Sequence, residues 1–180
     1  FGPAKKGKGR MLKDAPTIVM AQKTRAVDGV RLQVNHNGYQ NSHGLVHART
    51  LDLPVDSKGL VGEDVLYAPD TQDVQRFKAI QAKSPETFRY TARFHLHPDV
   101  EASLESDGAS VSLTLINGDV WVFRHRGFSQ LSLEESVYFE NFRLYPRPTA
   151  QIVLTSEIKE ITTRVRWSLA KASENPQKAA

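Results

Sequence analysis

Residues 88–97 read FRYTARFHLH and alternate without a break. Phe88, Tyr90, Ala92, Phe94 and Leu96 fall on one side of an extended strand. Arg89, Thr91, Arg93, His95 and His97 fall on the other, and Thr87 continues that polar side. Side chains of a strand point to opposite faces with period two, so this segment must bury one face and leave the other polar. The same grammar recurs along the chain. Val30, Leu32 and Val34 share a face, as do Leu45, His47, Arg49, Leu51 and Leu53. Val111, Leu113 and Leu115 alternate with Ser112 and Thr114, and Trp121, Phe123 and His125 fall together. Leu131, Leu133, Val137 and Phe139 do so further on, and the chain closes with Ile161, Val165, Trp167 and Leu169.

Turn chemistry separates these runs. Asn37-Gly38, Asp107-Gly108, Asn117-Gly118-Asp119 and the DSKG of Asp56–Gly59 read as turns, and His97-Pro98-Asp99 ends the first strand. About ten strand candidates and almost no helix indicate an all-β protein. Val74–Ala82 is the one segment with room for a helical turn or two, and Pro146 and Pro148 limit any strand through 144–149. Two packed antiparallel sheets, a β-sandwich, would satisfy the apolar faces; composition alone does not choose between a sandwich, a jelly roll and a barrel. The expected organisation is a basic arm or linker at 1–16, one sandwich domain over 17–169 and a polar tail at 170–180.

The net charge of +4 sits at the ends. Lys5, Lys6, Lys8, Arg10 and Lys13 crowd the first residues, and the body between the two termini is close to neutral. That placement argues against nucleic acid as the partner of the folded body. There is no cysteine, which excludes disulfides, thiolate metal sites and cysteine nucleophiles. No apolar run approaches the roughly 20 residues that span a bilayer. The chain opens FGPAKKGKGR without an initiating Met, as expected of a piece cut from a longer protein.

Three constellations could carry chemistry. His95 and His97, two residues apart on a strand, project from one face at about 6–7 Å. They could hold a structural divalent metal, although no acidic residue is placed to complete the site, and an exposed sheet face is the competing role. No other cofactor is indicated. His36, Tyr39, His43, His47 and Arg49 gather around a loop: His and Tyr suit proton transfer, and Arg can grip a carboxylate bidentately. A polar loop with one hydrogen-bonded His is the plainer alternative. Glu134 and Glu135 are neighbours on a strand and point to opposite faces, so they cannot be the facing pair of a glycosidase. Trp121, Phe123 and Trp167 fall in the apolar register and are assigned to the core.

The segments RFHLHPDVEA, SVSLTLINGDVWVFRHRG and LSLEESVYFE, with NHNGYQNSHGLVHARTLDL and GLVGEDVL upstream, closely resemble the C-terminal domain of bacterial heparinase II/III-like proteins. The resemblance spans about Val27 to Leu169. It implies a domain of stacked antiparallel sheets that accompanies an N-terminal helical toroid, which this sequence does not contain. It also implies a parent that cleaves an acidic, uronate-containing polysaccharide by β-elimination. There, one group neutralises the sugar carboxylate, a base removes the C5 proton and an acid protonates the leaving oxygen. The family's His-x-Gly-Tyr and Gly-Leu-x-His-x-Arg segments fall on His36, Tyr39, His47 and Arg49, which become the cleft candidates. Its Gly-Glu-Asp segment is expected as a turn. The resemblance further implies the periplasm or cell envelope, and a fragment inactive by itself. A carbohydrate-binding or structural module without turnover is the alternative.

Overall fold

A computed structural model describes residues 15–83 and 88–172. The Lys-rich arm before residue 15, Thr87 of the alternating stretch and residues 173–180 of the polar tail lie outside them. Eleven strands and two helices follow in order: β1 (Val19–Ala26), β2 (Gly29–Tyr39), α1 (Gln40–His43), β3 (Leu45–Pro54), β4 (Gly59–Tyr67), α2 (Thr71–Lys83), β5 (Arg89–His95), β6 (Glu101–Leu104), β7 (Ser110–Thr114), β8 (Val120–Arg126), β9 (Gln130–Tyr138), β10 (Arg147–Glu157) and β11 (Thr162–Lys171).

They form an antiparallel β-sandwich with unequal layers. The larger sheet has the order β1-β2-β3-β4-β11-β8-β7-β6, and the smaller has β5-β10-β9. The alternation in β5 does what the sequence requires. Ala92 is buried in the inter-sheet core with Tyr90 and Phe94 packed against it, while Arg89, Arg93 and His95 face outward. The core between the layers holds Ala92, Val111, Leu113, Phe123, Ile152, Leu154, Val165 and Trp167. Each such side chain removed from water contributes about 1.5–3 kcal/mol, which fixes which face of every strand turns inward. A second cluster of Leu45, Leu66, Phe77, Phe88 and Ile158 lies under α2.

Three local expectations are revised. The segment 74–82 is part of a helix of 13 residues, not a turn or two. Asp70 caps it, its carboxylate accepting from the Asp73 N–H at 2.8 Å, and Phe77 plugs it into the second cluster at 1% exposure. A single buried aromatic on an otherwise polar helix gives a weak periodic signal. Pro148 lies inside β10, opposite Val137 of β9. It is tolerated because pairing of β10 with β5 begins only at Gln151, so the missing N–H faces no ladder. Gly62-Glu63-Asp64 runs straight through β4 and is not a turn.

Gly62 is required by packing. Its register partner is Trp167, and a β-carbon added there would lie 2.2 Å from the indole ring. The absent side chain lets the ring lie flat on the backbone of β4. Gly62→Ala should therefore lower stability by about 1–3 kcal/mol and alter tryptophan fluorescence. Urea unfolding followed by fluorescence checks both.

Candidate functional site

The two apolar clusters are separated by a polar belt, and Asp64 is its centre. On β3, His47 and Arg49 point inward with Leu45 and Leu51 by period two. Register sets His36 of β2 opposite His47, and Asp64 of β4 opposite Arg49. Trp167 reaches the belt from β11, and Tyr90 reaches it from the other sheet. The Asp64 carboxylate is 1% exposed and surrounded by donors. Oδ1 accepts from His47 Nε2 at 2.7 Å and from Arg49 Nε at 2.7 Å. Oδ2 accepts from a terminal Arg49 nitrogen at 3.0 Å and from Trp167 Nε1 at 2.9 Å. Burial by itself would raise the Asp64 pKa; the hydrogen bonds from His47, Arg49 and Trp167, with the Arg49 charge, outweigh it and hold the pKa at about 2.

An ionised carboxylate only accepts, so these contacts fix the protons along the chain. His47 Nε2 carries a hydrogen directed at Asp64. In the neutral ring His47 Nδ1 is then an acceptor, and His36 Nε2, 3.2 Å away, must donate to it. His36 Nδ1 is left as an acceptor and receives the Gly38 N–H at 3.1 Å. The result is a directed series from backbone to His36 to His47 to Asp64. Burial, then the neighbouring His47, lowers the His36 pKa, in keeping with a neutral ring. The Tyr90 hydroxyl lies 3.3 Å from His47 Nε2. Burial first, then the Asp64 charge, raises its pKa, so it stays a neutral phenol.

The pairing of β2 with β3 is irregular between His36 and Tyr39. Such a bulge re-aims side chains, and here it swings Gly38 N–H onto His36. A β-carbon on Gly38 would sit 3.0 Å from His36 Nδ1 and 3.1 Å from Pro16. Asn37 anchors the bulge from the other side: its Oδ1 accepts from the N–H groups of Thr17 and Ile18, both at 3.0 Å. Tyr39, 42% exposed, lies with its ring centroid 5.4 Å from that of His36. Next to it is a small cleft of about 180 Å³ lined by Tyr39, His43, Phe88 and Tyr90 among others. Burial lowers the His43 pKa, and the His43 ring stands edge-on to Tyr39.

The structure thus brings His36, Tyr39, His47 and Arg49 into one place. Their tasks differ. Arg49 has already spent its fork on Asp64, and its guanidinium also lies over the rings of Phe94 and Trp167, at 5.4 and 5.7 Å. Tyr39, His43 and Tyr90 line the cleft, and His36 lies next to Tyr39. Asp64, Tyr90 and Trp167 complete the arrangement and were not among the candidates; His43 belonged to the loop cluster read from the sequence. Asp64 carried one legible signal: it shares the register of Leu60, Gly62 and Leu66, so a charge had to be buried. His95 and His97 do not act together. His95 Nδ1 bonds Ser136 Oγ at 2.9 Å, and His97 lies 3.5 Å from Asp99 and edge-on to Tyr138. Among the described residues no group of three or more His, Cys, Asp or Glu is arranged to hold a metal ion.

Removing the Asp64 charge strands Arg49 in the belt. Asp64→Asn should cost about 3 kcal/mol in urea unfolding at neutral pH. The folded pKa lies below the ordinary 3.8, so the Asp64 contribution is complete above that value and is lost as pH falls through about 2. Stability should drop by on the order of 2 kcal/mol across that window in the unaltered chain. Unfolding of Asp64→Asn, measured over the same window, should lack this component.

Comparison with known proteins shows the family and the fold. The family described as heparinase II/III-like, C-terminal, matches residues 4–168. Among curated proteins, the chain is 33% identical over 168 residues to FtsZ-localized protein C of Caulobacter vibrioides, covering 93% of this chain and 28% of that protein. Among solved structures it is similar to the heparan sulfate lyase HepC of Pedobacter heparinus, with a TM-score of 0.67 and 12% identity over 88% of this chain and 22% of the other. A heparinase III structure gives a TM-score of 0.62 and 13% identity over 97% and 24%. At such identities the structural likeness speaks for the fold. The chain spans about a quarter of the length of each of these proteins.

Proposed function

From a chain that belongs to the heparinase II/III-like C-terminal family, we propose that this domain forms one wall of a cleft acting on an acidic, uronate-containing polysaccharide. In the longer parent protein the reaction is β-elimination. The observation that supports this most is the hydrogen-bonded series Asp64–His47–His36, which ends beside Tyr39 at the cleft. The reaction asks for groups that take a proton from C5 and return one to the leaving oxygen. A phenol and a neutral imidazole at the edge of a partly apolar cleft suit proton transfer. On this reading Tyr39 and His36 face the sugar, while His47, Arg49 and Asp64 are positioning residues that hold His36 in one tautomer. Arg49 is engaged with Asp64, which leaves neutralisation of the sugar carboxylate to Arg89 at the cleft and to groups outside this wall. The partner wall is an upstream helical domain, and the place of action is the periplasm or cell envelope, where acidic polysaccharides are met.

A second reading has its own support. Both ring nitrogens of His36 are engaged, and the curated relative at 33% identity is named for its localisation with FtsZ and not for cleavage. On that reading the same wall binds a glycan, or serves as a structural module, without turnover.

One assay separates the two. The parent protein and the 180-residue chain are each incubated with uronate polymers, and absorbance of the unsaturated product is followed. Product from the parent, none from the chain alone, and a loss of at least about a hundredfold in parental Tyr39→Phe or His36→Ala are expected. Saturable binding by the parent with no product on any uronate polymer would replace the lyase reading with the binding module.

A further inference from the structure

Beside the cleft, strand ends on the two layers are unequal. β8 stops at Arg126, which pairs with Arg166 of β11. β9 starts at Gln130, which pairs with Thr155 of β10. β10 runs on to Glu157, and β11 begins as early as Thr162. The turn over residues 127–129 therefore leaves the ends of β10 and β11 uncovered, and a notch of about 970 Å³ opens there. That volume is at the upper end of the range of small-ligand sites.

The notch is basic on a body that is close to neutral. Arg89, Arg126, Lys159, Arg164 and Arg166 line it, against Glu157 and Glu160. Glu63 engages Arg164 and Arg166, and Glu157 engages Lys159. Among the described residues neither Arg89 nor Arg126 has an acidic partner at ion-pair distance. Phe128 projects from the turn, fully exposed at 105%, and is the one large apolar side chain in the lining. Apart from Gly127, the rest of the described lining is hydroxyl, amide or charge. Arg89 also lines the small cleft beside Tyr39, so the two cavities adjoin at that residue.

We infer that the notch is a second subsite for an anionic oligosaccharide, continuing the path of a chain held at the Tyr39 cleft. Arg89 and Arg126 take carboxylate or sulfate groups bidentately. The hydroxyls of Thr155 and Thr163 and the Gln130 amide meet sugar hydroxyls, and the Phe128 ring covers a sugar face. An acidic peptide would meet the same guanidinium groups, but the hydroxyls of Thr155, Ser156, Thr162 and Thr163 in the lining match the many hydroxyls of a sugar chain. The inference rests on the acidic-polysaccharide reading above and extends it to a longer footprint.

The test uses the 180-residue chain and heparin-derived oligosaccharides, with affinity read by calorimetry. Arg126→Glu and Phe128→Ala change exposed groups, and circular dichroism confirms that each variant folds. Arg126→Glu should weaken a decasaccharide about tenfold, the effect of losing one charge-assisted contact, and flatten the salt dependence of binding. A disaccharide, short enough to stay in the cleft, should respond to Tyr39→Ala and be indifferent to Arg126→Glu. Unchanged decasaccharide affinity in both notch variants, or no decasaccharide binding at all, overturns the subsite. If the parent still forms unsaturated product in that case, the lyase reading stands and only the notch falls. An oligoglutamate peptide that displaces the decasaccharide at equal affinity assigns the notch to acidic peptides and overturns the sugar assignment.

Discussion

Asp64 is an anion held between two hydrophobic clusters, 1% exposed, in a place where an unpaired carboxylate could not persist. Four donors from three side chains make it tolerable, and they come from β3 and β11, the two strands that flank β4. Register does the work of assembly. A slip of one residue in β3 would carry His47 and Arg49 to the outer face and leave the carboxylate bare. The belt therefore opposes register errors that apolar burial alone would penalise less sharply. It also couples the layers, since Tyr90 of the small sheet reaches the same group of side chains.

The same carboxylate sets the state of the cleft. Because Asp64 can only accept, the orientation of His47 follows, and from it the orientation of His36. The bulge at Asn37-Gly38 closes the series with a backbone donor. A rigid interior thus prescribes the protonation pattern of a ring at the surface. Whether the parent cleaves or only grips its glycan, the wall offered to it is the same on the proposed reading: a neutral imidazole, an exposed phenol and, at the edge shared with the notch, the Arg89 guanidinium. Arg126 lies beyond, in the notch, which suits holding a polyanion away from the groups that transfer protons.

Much of this was legible from alternation. Period two located the strands and placed His47 and Arg49 on one inward face, and family likeness in the segments around His36 and Tyr39 drew these four together. The partners were harder to see. Trp167 lies 103 residues from Asp64 along the chain, and nothing local to VRWSL distinguishes an indole that donates from one that merely packs. Tyr90 looked like any apolar residue of its strand. His95 and His97 show the converse: correct spacing on one face, but each tied to a different neighbour, Ser136 for one and Asp99 with Tyr138 for the other. Spacing states who could meet; the sheet register states who does. Only a turn or two of the 13-residue α2 was legible, because its buried apolar contribution rests on Phe77, with Ile80 partly buried beside it.

The central claim is that Asp64 dictates the proton positions on His47 and His36. Nitrogen-15 NMR of the labelled imidazoles at neutral pH tests it directly. The account predicts His47 protonated at Nε2 and bare at Nδ1, and His36 protonated at Nε2 with Nδ1 accepting from the Gly38 N–H. A His47 ring protonated at Nδ1, or a His36 ring bare at Nε2, would contradict it.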